Sequence, residues 1–456
     1  MSAAVQSTIV VGGGLAGISA ALALARRGVQ VTLLESRRHL GGRAGSFIIR
    51  DQAGAEIETV DYCQHVGMGC CSNLKQLIAW LDQTNEWHEH RQLHFFGPQG
   101  AYQRLAAWPL LPAPLHLGGW LLKWPQLTFR DRLSVARGMW AIDRLPLDEQ
   151  TAGQPAYAWL VSQGQTPGAI QNFWSTIIVS ALGEDLQRVS LAAAAKVLQD
   201  GFLRQREAFH LLVPQRPLRE LFGTQALEQL KLLGVDVQLA TPATSLSQLA
   251  SQKLQVTTSS SCLTADAVVL AVPWHQLGKL DYADNVAGLT ELAAAAQHLE
   301  ASAITGVHSW WDRPWLDLPH AAIVGRLCQW VFPKPGTPAT EFQSSSAERR
   351  SSVADTGVYY QVVISASREL RSTSQQHLAE LIQADLAQVF PAVREARLLA
   401  CKAVTDPQAV FSITPHSYHY RPHQALGPRL AVAGDWTRTG WPATMEGAIL
   451  SGFAAA

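Results

Sequence analysis

The sequence predicts an α/β fold, a Rossmann-like dinucleotide-binding domain carrying an inserted α+β domain, and three observations at the N-terminus predict it. Thr8-Ile9-Val10-Val11 is β-branched and apolar, the pattern of a strand buried on both faces. It runs into Gly12-x-Gly14-x-x-Gly17, where residues 16–26, rich in Ala and Leu and stopped by Gly28, read as a helix. Residues 29–34 read as the next strand and end on Glu35. Together these make one βαβ unit.

The glycine loop has a physical purpose. Backbone N–H groups must approach a doubly charged pyrophosphate closely, and side chains would block them. Gly12 permits the turn, Gly14 the close approach, and Gly17 the packing of helix on strand. Leu15 and Ala16 open the helix, whose N-terminus favours negative charge. Glu35 lies 18 residues after Gly17, near the spacing of about 20 at which an acid meets ribose hydroxyls. These features leave FAD and NAD open.

Farther along, residues 129–203 are helical in pattern. Residues 221–233 read as a helix capped by Gly234, 235–239 as a strand, and 265–272 as a strand stopped by Pro273. Two longer antiparallel strands are expected at 304–311 and 358–365, with a Pro/Ser/Thr-rich loop at 333–355 between them. A helix at 374–389 and a short strand at 430–433 complete the pattern. Residues 105–122 form an uncharged run of 18, the length of a membrane-span candidate. Pro109, Pro112, Pro114 and Gly118-Gly119 argue against spanning. A one-sided membrane contact, the wall of an apolar channel and a buried loop all stay open.

Composition narrows the function classes. Charged residues are 16%, low beside a typical share of about 25%. Acids and bases balance at 36 each, so no net field favours nucleic acid. The six cysteines form no C-x-x-C pair, which removes the zinc and disulfide signatures. His88, His90 and His94 sit in a polar stretch that reads as solvated surface, and no metal is expected. The 15 tryptophans suit a tryptophan-rich core, an aromatic-lined cavity or a membrane-facing rim. No signal peptide is visible, so a cytoplasmic location is expected, with peripheral contact at the inner face of the cytoplasmic membrane.

Two further motifs decide the cofactor. Leu40-Gly41-Gly42-Arg43 follows the acidic strand end, and Gly434-Asp435-Trp436 through Trp441-Pro442-Ala443-Thr444-Met445 closes the chain. Both resemble the superfamily of amine oxidases, phytoene desaturases and protoporphyrinogen oxidases, which implies FAD in a glutathione-reductase-type domain. The resemblance implies that Gly41, Gly42 and Arg43 approach the FAD phosphates. It also implies that Gly434 and Asp435 meet the phosphate–ribityl region, that Trp441 lies at the flavin face, and that Thr444 and Met445 turn backbone N–H groups to the pyrimidine ring. Ala243 matches the small residue that meets the adenine.

A finer resemblance covers nearly the whole chain. Residues 60–71, 111–116, 310–314, 329–332 and 440–444 resemble the hydroxysqualene dehydroxylases, except that Cys63 stands where that family usually has glycine. It implies reductive removal of the hydroxyl of hydroxysqualene to leave squalene, in squalene and hopanoid biosynthesis. A long apolar isoprenoid substrate, an apolar tunnel and a proton donor follow, with Asp61 and His65 as the catalytic candidates. A carotenoid-type desaturase, a flavin amine oxidase and a non-catalytic lipid escort are the alternatives on this fold. No second dinucleotide loop indicates the electron donor. The expected division is a discontinuous FAD domain, 1–95, 205–285 and 405–456, and a substrate domain, 96–204 and 286–404.

Overall fold

The structure, a computed structural model, describes residues 5–50, 56–283, 285–334 and 357–456. Five parallel strands form one sheet in the order Asp236–Gln238, Gln30–Leu34, Ser7–Val11, Ala267–Leu270, Leu430–Val432. Val10, Leu33, Val268, Leu270 and Val432 are fully buried, as strands covered on both faces require. Three distant stretches of chain thus build one sheet. The helix Leu15–Arg26 covers it, and the last helix, Met445–Ala455, packs on that helix. Gly452 makes the contact: a Cβ there would stand 2.2 Å from the Ala16 carbonyl oxygen. A smaller sheet joins Ala243–Gln248, Leu254–Thr258 and Cys262–Ala265 antiparallel, with Asp281–Tyr282 added parallel at one edge.

Seven strands make the second large sheet, in the order Leu398–Phe411, Ala301–Trp311, Val358–Ile364, Trp330–Pro333, Ala321–Ile323, Leu93–Phe96, Tyr102–Leu105. The expected strands at 304–311 and 358–365 are neighbours within it, antiparallel, with Val307 opposite Val362. The expected helix at 374–389 is Gln375–Val389, capped by the Ser374 hydroxyl, which accepts from the His377 N–H at 3.2 Å. Its stripe Leu378, Ile382, Leu386, Val389 is buried, the spacing of one helix face. Helices Phe129–Asp143, Ala156–Ser162, Ser175–Leu182 and Leu191–Leu198 form the helical part.

Some expectations change. The edge strand Leu398–Phe411 contains Pro407, which hides it from a reading by pattern. The register skips from Ser302–Val410 to Ile304–Asp406, so Pro407 sits in a bulge on an edge, where a missing N–H is tolerated. We propose dividing the chain along its sheets. The first boundary then falls before Leu93 rather than after residue 95, and the last after Phe411 rather than at 404, because both strands bond into the large sheet. Of the loop expected at 333–355, Pro333 ends a strand and residues 335–355 lie outside the described residues. His90 and His94 are not solvated surface. His94 lies in the interior strand Leu93–Phe96, and both rings pack on fully buried His320, with centroids 5.3 and 5.1 Å away. Among the described residues no group of three His, Cys, Asp or Glu could hold a metal ion, and no helix is long and apolar enough to cross a membrane.

Candidate functional site

The glycine loop has the shape its sequence requires. Gly12 has φ +109°, and a Cβ on it would stand 2.5 Å from the Ala271 carbonyl oxygen. A Cβ on Gly17 would meet the Gly12 carbonyl oxygen at 1.8 Å, so the helix lies directly on the turn. Gly14 is different: a Cβ there would meet only the Gly42 Cα, at 3.9 Å. Its bareness serves something beyond the protein's own packing, as a cradle for a phosphate would. The N–H groups of Leu15, Ala16 and Gly17 open the helix and have no partner within it. Glu35 is buried, and its carboxylate accepts from the Gly13 and Arg37 N–H groups, both at 2.7 Å.

The second motif lies against the first. The Gly41 N–H donates to the Gly13 carbonyl at 2.8 Å, and Gly14 bridges Gly41. Gly41 and Gly42 both have positive φ, +106° and +61°, which non-glycine residues rarely adopt. Arg43 leaves this turn and meets the other end of the chain: its guanidinium contacts the buried Asp435 carboxylate at 2.5 Å and the Ala409 carbonyl at 3.0 Å.

The closing motif is pinned on several sides. The Gly434 N–H donates to the Ser451 hydroxyl at 2.7 Å, and the Thr444 hydroxyl accepts from the Gly447 N–H at 3.1 Å to cap the last helix. Glu446, buried in that helix, accepts from the Asn73 and Leu74 N–H groups at 3.0 and 2.8 Å. Fully enclosed Arg421 donates to the Thr437 and Trp441 carbonyls at 2.5 and 2.7 Å; burial lowers its pKa to about 10, so it stays charged at neutral pH. The Lys196 ammonium lies 4.8 Å from the centre of the Trp441 ring. Arg421 and Lys196 have no motif spacing that would have marked them in the sequence. Ala243 begins the smaller sheet, two residues after Thr241, whose N–H bonds the Glu35 carbonyl at 2.8 Å.

The two catalytic candidates fall in different settings. Asp61 ends the strand Glu56–Asp61, and its Oδ1 accepts from the Ser46 hydroxyl at 2.6 Å and the Leu218 N–H at 2.8 Å. Burial raises its pKa to about 6 despite those bonds. His65 donates from Nδ1 to the Cys63 carbonyl at 2.8 Å, which leaves Nε2 as an acceptor. Burial holds His65 below the usual histidine range, and the Arg43 charge acts in the same direction. Burial pushes the Cys63 thiol up to about 12, so Cys63 is a neutral wall residue. The strand crossing the loop carries Gly306, where a Cβ would stand 2.4 Å from the Tyr62 carbonyl oxygen and 3.4 Å from the Cys63 Cβ.

His275 belongs to no motif in the sequence. It follows the strand Ala267–Leu270 at its carboxyl end, the place where open α/β sheets bind ligands. Burial first, and then the Arg43 charge, lower its pKa. Its Nδ1 is buried without a hydrogen-bond partner among the described residues. A depression of about 270 Å³ lies elsewhere, lined by residues such as Leu24, Val268 and Leu430. No motif residue borders it, so it is not the expected apolar tunnel.

The two ends of the chain thus meet at Arg43 and Asp435, beside the glycine loop, and the fold is that of an FAD-dependent oxidoreductase. The chain belongs to the flavin-containing amine oxidoreductase family, whose model matches residues 15–456, and it binds FAD. It is 27% identical to the carotenoid phi-ring synthase of Streptomyces griseus, over 98% of this chain and 86% of that one. It is 24% identical to the hydroxysqualene dehydroxylase of Sinorhizobium fredii, over 98% and 96%. The 15-cis-phytoene desaturase of Narcissus pseudonarcissus matches at 24% identity, over 97% of this chain and 77% of that one. Among solved structures, an oxidoreductase from Methanosarcina mazei superposes with a TM-score of 0.70 at 14% identity, covering 98% of each chain.

Proposed function

We propose that the chain removes the hydroxyl of hydroxysqualene reductively to leave squalene. The observation that carries this reading is the match to a hydroxysqualene dehydroxylase over 96% of that protein's length, against 77% for the phytoene desaturase at the same identity. The match joins the resemblance at residues 60–71 and 440–444. Reduced FAD, when bound, supplies the hydride that replaces the hydroxyl. The loops of Gly12, Gly14 and Gly17 and of Gly41 and Gly42 would hold its pyrophosphate. Arg43 would neutralise that charge, and Glu35 would accept from the ribose.

The chain's own task is to orient an apolar substrate, keep bulk water out and deliver a proton to the departing oxygen so that it leaves as water. We assign that proton to the loop of Asp61 and His65. Asp61 keeps a protonated fraction near neutrality, and it positions the loop through Ser46 and Leu218. His65, with Nε2 free to take up a proton, passes it on. A histidine held neutral by burial gives a strong acid once protonated, so turnover is expected to rise as pH falls from about 8 to about 6.

The test is anaerobic: reduce the bound flavin, add hydroxysqualene, and follow squalene together with flavin reoxidation. Squalene formation matched to reoxidation supports the reading. Desaturation of phytoene by the oxidised protein, with no squalene from the reduced one, replaces it with the carotenoid-type desaturase.

A further inference from the structure

We propose that residues 108–144 form a docking surface for a membrane bearing anionic lipid, lying in the plane of the headgroups. The inference does not depend on which substrate the protein takes.

The uncharged run at 105–122 divides in the structure. Leu117 and Trp120 turn inward, where Trp120 packs with Trp124, Phe95 and Phe173. Trp108, Leu110, Leu115 and Leu122 turn outward, and Leu110 is 94% exposed. The helix that follows, Phe129–Asp143, continues this outer face with Phe129, Leu133 and Trp140, of which Phe129 is 80% exposed. Positions 129, 133 and 140 share one face of a helix, and 11 residues carry that face about 16 Å. Seven of the 14 large hydrophobic residues that the described chain exposes fall within these 33 positions, 108–140.

Hydrogen bonds hold both parts in place. The Trp108 N–H bonds the His116 carbonyl at 2.8 Å, folding the loop back, and the Trp108 ring lies over Gly119. Arg206 holds the loop through the Leu111 and Trp108 carbonyls at 2.7 and 2.6 Å. Arg132 ties the helix to the Trp124 carbonyl at 3.0 Å. Inside, Asp131 completes a capping box with Thr128, so the helix end is fixed before any partner arrives.

Charge identifies the partner. Residues 108–144 hold five basic side chains (Lys123, Arg130, Arg132, Arg137, Arg144) and two acidic ones (Asp131, Asp143), a balance of +3 in a chain whose net charge is 0. Asp131 is buried. Arg130, Arg137 and Arg144 recur every seven residues beside the apolar line, and the Arg144 guanidinium lies 4.0 Å from the centre of the exposed Trp140 ring. Apolar residues flanked by arginines along an exposed helix match an anionic bilayer surface: the rings enter the acyl boundary while the guanidinium groups meet phosphates. A protein partner of ordinary surface would leave those arginines without counter-charges.

The test is co-sedimentation of the flavin-loaded protein with vesicles of phosphatidylcholine alone and with a quarter phosphatidylglycerol. The wild type is expected to bind the anionic vesicles, less so at high salt. Phe129→Glu with Leu110→Glu is expected to weaken binding at least about tenfold. Arg130→Gln with Arg137→Gln should weaken binding to the anionic vesicles several-fold and leave any binding to neutral vesicles unchanged. All four positions are exposed, so flavin absorbance and melting temperature should hold and separate lost docking from lost folding. Binding of every variant equal to the wild type overturns the proposal. So does a wild type that ignores both vesicles, whether it stays monomeric or self-associates in sedimentation through these residues.

Discussion

The glycine turns and the helical region beyond them make contrasting demands on sequence. At the turns, backbone touches backbone, and few residue types fit. Gly17 rests on the Gly12 carbonyl and Gly452 on the Ala16 carbonyl, and both would clash with any side chain. In the helical region the contacts run between large side chains, as in the cluster of Phe95, Trp120, Trp124 and Phe173. Many combinations of apolar residues could fill that volume. The first kind of site therefore leaves a spaced motif in the sequence, and the second leaves only composition.

That contrast can be broken experimentally, beginning where the largest effect is expected. Gly17→Val sets a branched side chain against backbone that cannot move aside, so a loss of at least about 3 kcal/mol and of flavin colour is expected. Thermal melting with absorbance measures both. A stable yellow Gly17→Val protein would remove the backbone-contact account.

Glu184→Ala probes the other region. Glu184 is fully buried and holds Arg368 through two hydrogen bonds at 2.6 and 2.5 Å, besides the Ser412 hydroxyl. Arg368 is partly exposed and can recover some hydration, so a loss of about 2–3 kcal/mol is expected, toward the low end for broken buried pairs. Flavin content per folded chain should stay unchanged. Flavin loss at equal folding would mean the regions are coupled more tightly than the contacts indicate.

Acid should act on the side-chain-packed region. Burial lowers His90 to about 4 and His320 to about 3, from an ordinary 6.5. For a base whose folded pKa is depressed, the unfolded chain binds more protons below pH 6.5. Stability is therefore full above that pH and falls as pH drops towards 4 and 3. A loss of the order of 2 kcal/mol between about pH 7 and pH 4 is expected from this cluster. His320→Phe should flatten the fall in melting temperature; an unchanged slope would place the acid sensitivity elsewhere.

The smallest effect is expected at Asp61. Asparagine keeps an oxygen for Ser46 and Leu218, and it carries none of the charge that burial disfavours in Asp61, whose pKa is raised to about 6. Asp61→Asn should change stability at pH 7 by less than about 1 kcal/mol while slowing turnover. Unchanged turnover would leave Asp61 a purely positioning group in the fold.

The same contrast explains what could be read beforehand. The βαβ unit, the FAD motifs, the antiparallel pair at 304–311 and 358–365 and the helix at 375–389 were legible, because glycine, periodicity and capping mark them. Leu398–Phe411 was not, because Pro407 argues against a strand until its bulge is seen. The inward turn of His90 and His94 was equally hidden, since their partner His320 is more than 200 residues away. Arg421 and His275 carried no spacing to find. In the run at 105–122, the sequence alone could not sort Leu117 and Trp120, which face in, from Leu110 and Leu115, which face out.

The central claim is that the two ends of the chain meet on one cofactor, and Arg43 with Asp435 is where they meet. Titration of FAD into apoprotein for Arg43→Ala, Asp435→Ala and the double variant tests it directly. Each single change is expected to weaken FAD binding at least about tenfold, and the double variant by less than the product of the two. Wild-type affinity in either single variant, or full additivity in the double, would contradict the convergence of the two motifs on FAD.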